Sequence, residues 1–187
     1  MCKKLLALVL FAGFSFAGVT LPRPTGDVPF TVPGKGPDNL TNYKGKVVLL
    51  EFFIASCPHC QRTAKVLSDI QRDYKAMGVR VISLTFRPED DAAALKKFAD
   101  EYKTNYTLGM IDGKVMATFG QLTPEMRPTV PMVFFIDRNG LVQAQYFATE
   151  PMMEEMHQAE NLRAKLLFYM QQAPAPAKAG TARPAKK

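Results

Sequence analysis

The stretch Lys46-Val-Val-Leu-Leu-Glu-Phe-Phe-Ile54, followed after two residues by Cys57-Pro-His-Cys60, decides the fold. The first segment is a run of β-branched, aliphatic and aromatic residues with one interruption, Glu51, which is typical of a strand buried on both faces. Pro58 stands at a favourable first helical position, and apolar residues recur at helical spacing until Gly78. The sequence therefore predicts a buried strand that leads into a helix, with the two cysteines at the junction.

The rest of the chain is predicted to alternate strands and helices and then to form a hairpin. The expected strands are 79–86, 106–111, 131–136 and 141–147, and the further helices begin near 88–91, at Lys114 and at Pro151. Residues 18–42 are dense in Pro, Gly, Asn and Asp and are expected to be an irregular lead-in with one short strand or hairpin. This order predicts an α/β domain with a mixed central sheet flanked by helices on both faces.

The two ends of the chain are set apart by composition. Two lysines precede an apolar run from Leu5 to Phe16, and small residues follow where a signal peptidase cleaves, so residues 1–17 are predicted to be a secretory signal. The run is shorter than the roughly 20 residues of a membrane-spanning helix, and an uncleaved anchor helix is the alternative. Residues 173–187 are rich in Ala, Pro and Lys and are predicted to be a disordered tail. Residues 18–172 form the predicted domain.

The net charge of +7 comes mainly from these ends. Residues 1–17 carry two lysines and residues 173–187 carry four basic residues, with no acidic residue in either segment, which leaves +1 for the middle. A nearly neutral domain does not favour nucleic-acid binding. Without the signal, two cysteines remain, three positions apart, which is typical of a reactive or metal-binding pair rather than a disulfide-stapled scaffold.

The position of the cysteine pair indicates thiol chemistry. Cys57 falls at the cap of the predicted helix, where unpaired N–H groups and the helix dipole stabilise a thiolate. Cys60 lies one turn deeper and can resolve a mixed disulfide, and His59 adds a donor and a possible positive charge beside Cys57. A zinc site is less favoured because only His59 and the distant His157 could complete the four ligands. No metal or other cofactor is expected.

Two further residues stand out against their surroundings. Glu51 is an acid inside an apolar strand, where burial raises a carboxyl pKa toward neutrality and fits it to exchange a proton with Cys60; a Glu that reaches solvent or a lysine is the alternative. Pro131 begins a strand predicted to be central, where a residue without an N–H is out of place. A cis bond after Val130 would explain it, and an ordinary trans proline at the strand start is the alternative.

Together these motifs resemble the thioredoxin superfamily, in particular its exported TlpA/ResA branch. The resemblance covers roughly residues 28–170 and is carried by 45–53, by Cys57-Pro-His-Cys60 and by Val130-Pro131 with the Phe134–Gly140 segment. It implies a thioredoxin-like fold with added N-terminal strands. It also implies that the chain is an enzyme that exchanges disulfides.

The resemblance assigns roles to individual residues. Cys57 would be the nucleophile, Cys60 the resolving cysteine, and Pro131 the cis-proline that faces them. Val130 would hydrogen-bond a substrate backbone in the manner of a β-strand, and Glu51 stands where thioredoxins carry a buried Asp. The expected partners are exported protein thiols or disulfides and a second redox thiol protein, free or membrane-bound, in the periplasm or another exported location.

Departures from the branch leave the redox direction open. Pro-His between the cysteines is similar to the dipeptide of the oxidant DsbA. The sequence around the cysteines, however, resembles the reductants of the TlpA/ResA branch. About 70 residues separate Cys60 from Pro131, which are too few for the helical insertion of DsbA. A peroxiredoxin-type peroxidase is a second hypothesis, although Leu50 and Ile54 occupy the Pro and Thr/Ser positions of its Pro-x-x-x-Thr/Ser-x-x-Cys frame. A copper-binding metallochaperone is a third, although its Cys-x-x-x-Cys spacing is one residue longer.

Overall fold

A computed structural model describes residues 19–126 and 129–172. The predicted signal 1–17 and the predicted tail 173–187 lie outside the described residues. The strands are β1 (Arg23–Pro24), β2 (Pro29–Val32), β3 (Gly36–Asn39), β4 (Val47–Phe53), β5 (Val79–Thr85), β6 (Thr107–Met110), β7 (Met132–Ile136) and β8 (Leu141–Tyr146). The helices are α1 (Pro58–Tyr74), α2 (Ala92–Tyr102), α3 (Gly113–Phe119) and α4 (Gln158–Gln171).

The strands form one mixed sheet in the order β1-β8-β7-β4-β5-β6-β2-β3. β4 runs parallel to β5 and antiparallel to β7, and all of its residues are buried, as its apolar run predicts. The register places Glu51 between Ser83 of β5 and Val133 of β7. The central strand therefore carries its carboxyl into the middle of the sheet rather than to an edge.

Successive residues of β4 divide the core between the two faces of the sheet. Leu50 and Phe52 pack with residues of α3 and of the N-terminal segment. Leu49 and Phe53 lie on the opposite face, which α1, α2 and α4 cover. The prediction of a thioredoxin-like α/β fold with helices on both faces is confirmed, with one helix on one side and three on the other.

The lead-in contains more regular structure than the sequence indicated. β2 and β3 form an antiparallel hairpin that pairs with β6 through Thr31 and Met110, and β1 pairs with β8 at the opposite edge of the sheet. The expected N-terminal strand extension is therefore present at both edges. Strands of two to four residues carry too little periodicity to be separated from turns in sequence.

The last helix begins later than predicted. Pro151–Met153 form a short 3-10 turn, and α4 starts only at Gln158. The Asn161 side chain donates to the Pro151 carbonyl at 3.1 Å, which bonds the start of this turn to α4. Met156, which a helix from Pro151 would include, lies between the turn and α4 and is 87% exposed. Leu162, Leu166 and Tyr169 lie on the buried face of α4.

Candidate active site

The two cysteines occupy the first turn of α1. Cys57 is the N-cap residue, with an extended backbone, and Pro58 follows in the first turn. Cys57 is half-buried, Cys60 is fully buried, and both are free thiols. The sequence prediction of an outer and an inner sulfur on one helical turn is confirmed by this geometry. An outer thiol at a helix N-terminus can meet another molecule, while the inner one cannot.

Burial keeps the inner thiol protonated. Cys60 lies in an apolar cluster with Phe53, Ala64 and Phe98. Desolvation is the largest cause that raises its pKa far above the usual value for a thiol, and the charge of Glu51 raises it further. Because only a thiolate attacks a disulfide efficiently, Cys60 needs a nearby base to take its proton.

Glu51 is positioned to be that base. Its side chain is 1% exposed, and Ser83 Oγ donates to its Oε2 at 2.5 Å across the β4–β5 pair. Desolvation raises the Glu51 pKa to about 8, and the bond from Ser83 opposes the rise. The alternative in which Glu51 reaches solvent is wrong. A carboxyl that titrates near neutral pH can both accept and return a proton.

Replacing Glu51 with glutamine is expected to remove a pH dependence of stability. The folded-state pKa of about 8 lies above the ordinary 4.5, so the folded protein keeps a proton that the unfolded chain releases. The free energy of unfolding of the wild type should therefore fall as pH rises from about 4.5 to about 8, by on the order of 5 kcal/mol. Urea unfolding at pH 5 and pH 8 measures this fall.

The matched control is Glu101→Gln, which removes an exposed carboxyl of α2. This variant should keep the wild-type fall in stability, whereas Glu51→Gln should show much less of it. If the free energy of unfolding fell equally in the wild type and in both variants, Glu51 would have to ionise in the folded state as it does in the unfolded chain.

Val130 and Pro131 face the outer cysteine. The peptide bond between them is cis, as the position of the proline predicted. The Cys57 thiol donates to the Val130 carbonyl at an Sγ–O distance of 3.8 Å. The structure thus brings Val130 and Pro131 to the cysteines, while the substrate-binding role of these residues stays a prediction.

His59 lies on the exposed side of α1 beside an arginine. Arg62 Nη2 lies 2.8 Å from His59 Nδ1. A guanidinium can only donate, so Nδ1 is the acceptor in this contact. Arg62 is also paired with Glu155 at 3.0 Å. The donor and the positive charge that the sequence suggested for His59 stay predictions.

Two polar residues that the sequence did not single out hold the segment before Cys57. Asp90 Oδ2 accepts from the Ala55 backbone N–H at 2.9 Å and from Thr85 Oγ1 at 2.7 Å. Gln61 Nε2 donates to the Ala55 carbonyl at 2.9 Å. The backbone N–H and the backbone carbonyl of Ala55 are therefore both held by side-chain hydrogen bonds. The helix α2 was predicted to begin near residues 88–91, and Asp91 caps it. No feature of the sequence indicated that its neighbour Asp90 would be the buried carboxyl.

The described residues hold no group of three or more His, Cys, Asp and Glu side chains placed to bind a metal ion. Cys57, Cys60 and Glu51 are the ionisable groups that the structure brings together at the start of α1, with Ser83 bonded to the carboxyl. The arrangement can perform nucleophilic attack by an accessible sulfur, followed by proton transfer from a buried one.

Comparison with known proteins identifies the family of this chain and several relatives. Residues 28–145 match the AhpC/TSA family. Peroxiredoxin Q of Triticum aestivum is 30% identical over 67% of this chain, and thiol-disulfide oxidoreductase ResA of Bacillus anthracis is 30% identical over 57%. The chain spans 57% of the length of each of these relatives.

The fold itself recurs in solved structures. A secreted disulfide oxidoreductase of Mycobacterium tuberculosis, homologous to DsbE of E. coli, superposes with a TM-score of 0.56 at 21% identity. The match covers 73% of this chain and 94% of that one. At this identity the likeness concerns the fold alone.

Proposed function

Because this chain belongs to the AhpC/TSA family and has the fold of the thioredoxin superfamily, we propose that it is a thiol-disulfide oxidoreductase that acts on exported proteins through Cys57 and Cys60. The observation that carries the proposal is the pairing of a half-buried outer thiol with a fully buried inner thiol above a carboxyl whose pKa is raised to about 8. Similarity to ResA supports the same reaction.

The reaction proceeds in two exchanges. The Cys57 thiolate attacks one sulfur of a substrate disulfide, and the other substrate sulfur leaves as a thiolate that takes up a proton. Ionised Glu51 then accepts the proton of Cys60, and the resulting thiolate attacks Cys57 Sγ. The substrate is released with both sulfurs reduced, and the enzyme holds a Cys57–Cys60 disulfide that a second thiol protein must reduce.

The reducing direction is part of this proposal. The sequence around the cysteines resembles that of the TlpA/ResA reductants, and the similarity to ResA supports the same branch. A cation beside Cys57 would stabilise the reduced form and make the enzyme disulfide a strong oxidant. The nearest guanidinium to His59, that of Arg62, is paired with Glu155 at 3.0 Å.

A redox titration is expected to give a two-electron midpoint nearer to about −270 mV, the value of thioredoxin, than to about −120 mV, that of DsbA. Equilibration of the full chain in dithiothreitol buffers, with the free thiols counted by mass after alkylation, measures it. A midpoint near −120 mV would reverse the proposed direction, and the lack of any reversible Cys57–Cys60 disulfide would refute the proposed function.

A thiol peroxidase is the second candidate, and the similarity to peroxiredoxin Q is the observation that favours it. The geometry gives it less support. Leu50, at the Pro position of the peroxidase frame, is fully buried on the sheet face opposite Glu51. Ile54, at the Thr/Ser position, has no hydroxyl to donate a hydrogen bond to the leaving oxygen of a peroxide. In the reduced protein, hydrogen peroxide should oxidise Cys57 far more slowly than a disulfide does, and the opposite order would favour the peroxidase.

Export is part of the same proposal. Within residues 19–126 and 129–172, no helix is long and apolar enough to cross a bilayer. Support for export comes from the composition of residues 1–17. The proposed partners are exported protein disulfides as substrates and a second thiol protein, free or membrane-bound, that returns the enzyme to its dithiol state.

A further inference from the structure

Unpaired polar atoms lie beneath the cysteines. Among the described residues, the buried side-chain oxygens without a hydrogen-bond partner are Glu51 Oε1, Ser68 Oγ and Tyr106 Oη. Such atoms are rare in folded proteins because each forfeits its hydrogen bonds with water. Glu51 Oε1 is an acceptor when the carboxyl is ionised, and the Tyr106 hydroxyl is a donor. The two atoms are therefore chemically complementary.

The sheet register brings these two residues to one face. Glu51 pairs with Ser83, and Ser83 pairs with Leu108 of β6. Tyr106 lies in the bend just before β6 and packs against the same apolar cluster as Leu108. Its half-buried side chain packs against the apolar clusters on both sides of Glu51. Its ring also lines an open groove of about 450 Å³, while its hydroxyl points inward.

The electrostatics agree with this placement. Burial is the largest cause that raises the Tyr106 pKa well above its ordinary value, and the charge of Glu51 is the next, while the Ser83 hydroxyl lowers it as a nearby hydrogen-bonding group. The hydroxyl thus stays protonated throughout the range in which Glu51 titrates. It remains a donor whenever the neighbouring carboxyl becomes an anion.

The proposed reaction creates a need for such a donor. Glu51 must be ionised before it can take the Cys60 proton, and an anion in an apolar site is costly unless donors surround it. Ser83 supplies one hydrogen bond, to Oε2. We propose that Tyr106 is a positioning residue whose hydroxyl donates to Oε1 of Glu51 when that carboxyl ionises to receive the Cys60 proton. This inference rests on the proposed function.

Few other titratable groups face Glu51. Helix α1 contributes Cys57 and Cys60, and α2 contributes the partly buried Tyr102 to the adjacent cluster. The β7 partner of Glu51 is the apolar Val133. The pH dependence of the resolving step should therefore report mainly on the carboxyl and on the hydroxyl that stabilises its ionised form.

The test is Tyr106→Phe, which keeps the ring and removes the hydroxyl. An aromatic disulfide that releases a coloured thiol separates the two exchanges: the first equivalent reports attack by Cys57 and the second reports resolution by Cys60. The midpoint pH of the second phase should rise by about one unit, which makes resolution about tenfold slower below the midpoint. The first phase should not change.

Tyr102→Phe is the matched control, since it removes a hydroxyl from the neighbouring helix, and it should keep the wild-type midpoint. In a Glu51→Gln background, Tyr106→Phe should add no further slowing of the second phase. An unchanged midpoint, or equal slowing at every pH, would overturn the role of Tyr106. If the wild type released only one equivalent, the proposed two-cysteine function itself would fail.

Discussion

The Cys57→Ser variant is expected to lose disulfide exchange by a factor of about 10³ or more, because it lacks the only sulfur that another molecule can reach in the described site. Cys60→Ser should behave differently. Its outer thiol still attacks, but no inner thiolate resolves the product, so a stable mixed disulfide with the substrate should accumulate. Non-reducing electrophoresis and intact mass of the full chain measure both outcomes.

The two serine variants control for each other, because each removes one sulfur from the same helical turn. Circular dichroism should show that both are folded. Normal turnover by Cys57→Ser would remove the basis of the proposed function. Failure of Cys60→Ser to accumulate the adduct, with the wild type active, would contradict the resolving role of the inner thiol.

The Phe134→Ala variant is expected to lower the free energy of unfolding by about 3–5 kcal/mol. Phe134 is fully buried on β7 and packs edge-on against two other rings, Phe52 at 5.1 Å and Phe119 at 5.0 Å between centroids. Truncation leaves a cavity between the sheet and α3 that these rings cannot close. Urea unfolding followed by circular dichroism measures the loss.

Phe168→Ala provides the comparison on α4, where the ring is 54% exposed and contacts Tyr169. Its loss should stay below about 1 kcal/mol because most of the ring is already in water. If Phe134→Ala lowered the free energy of unfolding by as little as Phe168→Ala does, the aromatic cluster beneath the sheet would contribute little to stability.

The sequence predicted the centre of the fold well because the centre is the most strongly patterned part. β4 is buried along its whole length and reads as an uninterrupted apolar segment. The start of α1 is marked by a proline and its end region by Gly78 in the left-handed conformation. Glu51 was identified for the same reason, since a charge is conspicuous among apolar residues.

The missed features depend on contacts between distant segments. Tyr106 could not be distinguished from other core tyrosines, because its relation to Glu51 arises only from the pairing of β4, β5 and β6. Arg62, one turn from His59, also pairs with Glu155 near the last helix, a contact that the sequence does not indicate. The late start of α4 is accompanied by a bond from Asn161 to the preceding turn, a contact ten residues back in the chain.

The strands at the two borders of the sheet have a consequence for how this protein can meet unfolded chains. β1 contains Pro24 and β3 contains Pro37, and neither residue has an N–H to offer an incoming strand. Short, proline-bearing borders discourage another polypeptide from extending the sheet. Under the proposed function, in which partly unfolded proteins meet Cys57, such borders should keep those proteins from adding their strands to the sheet.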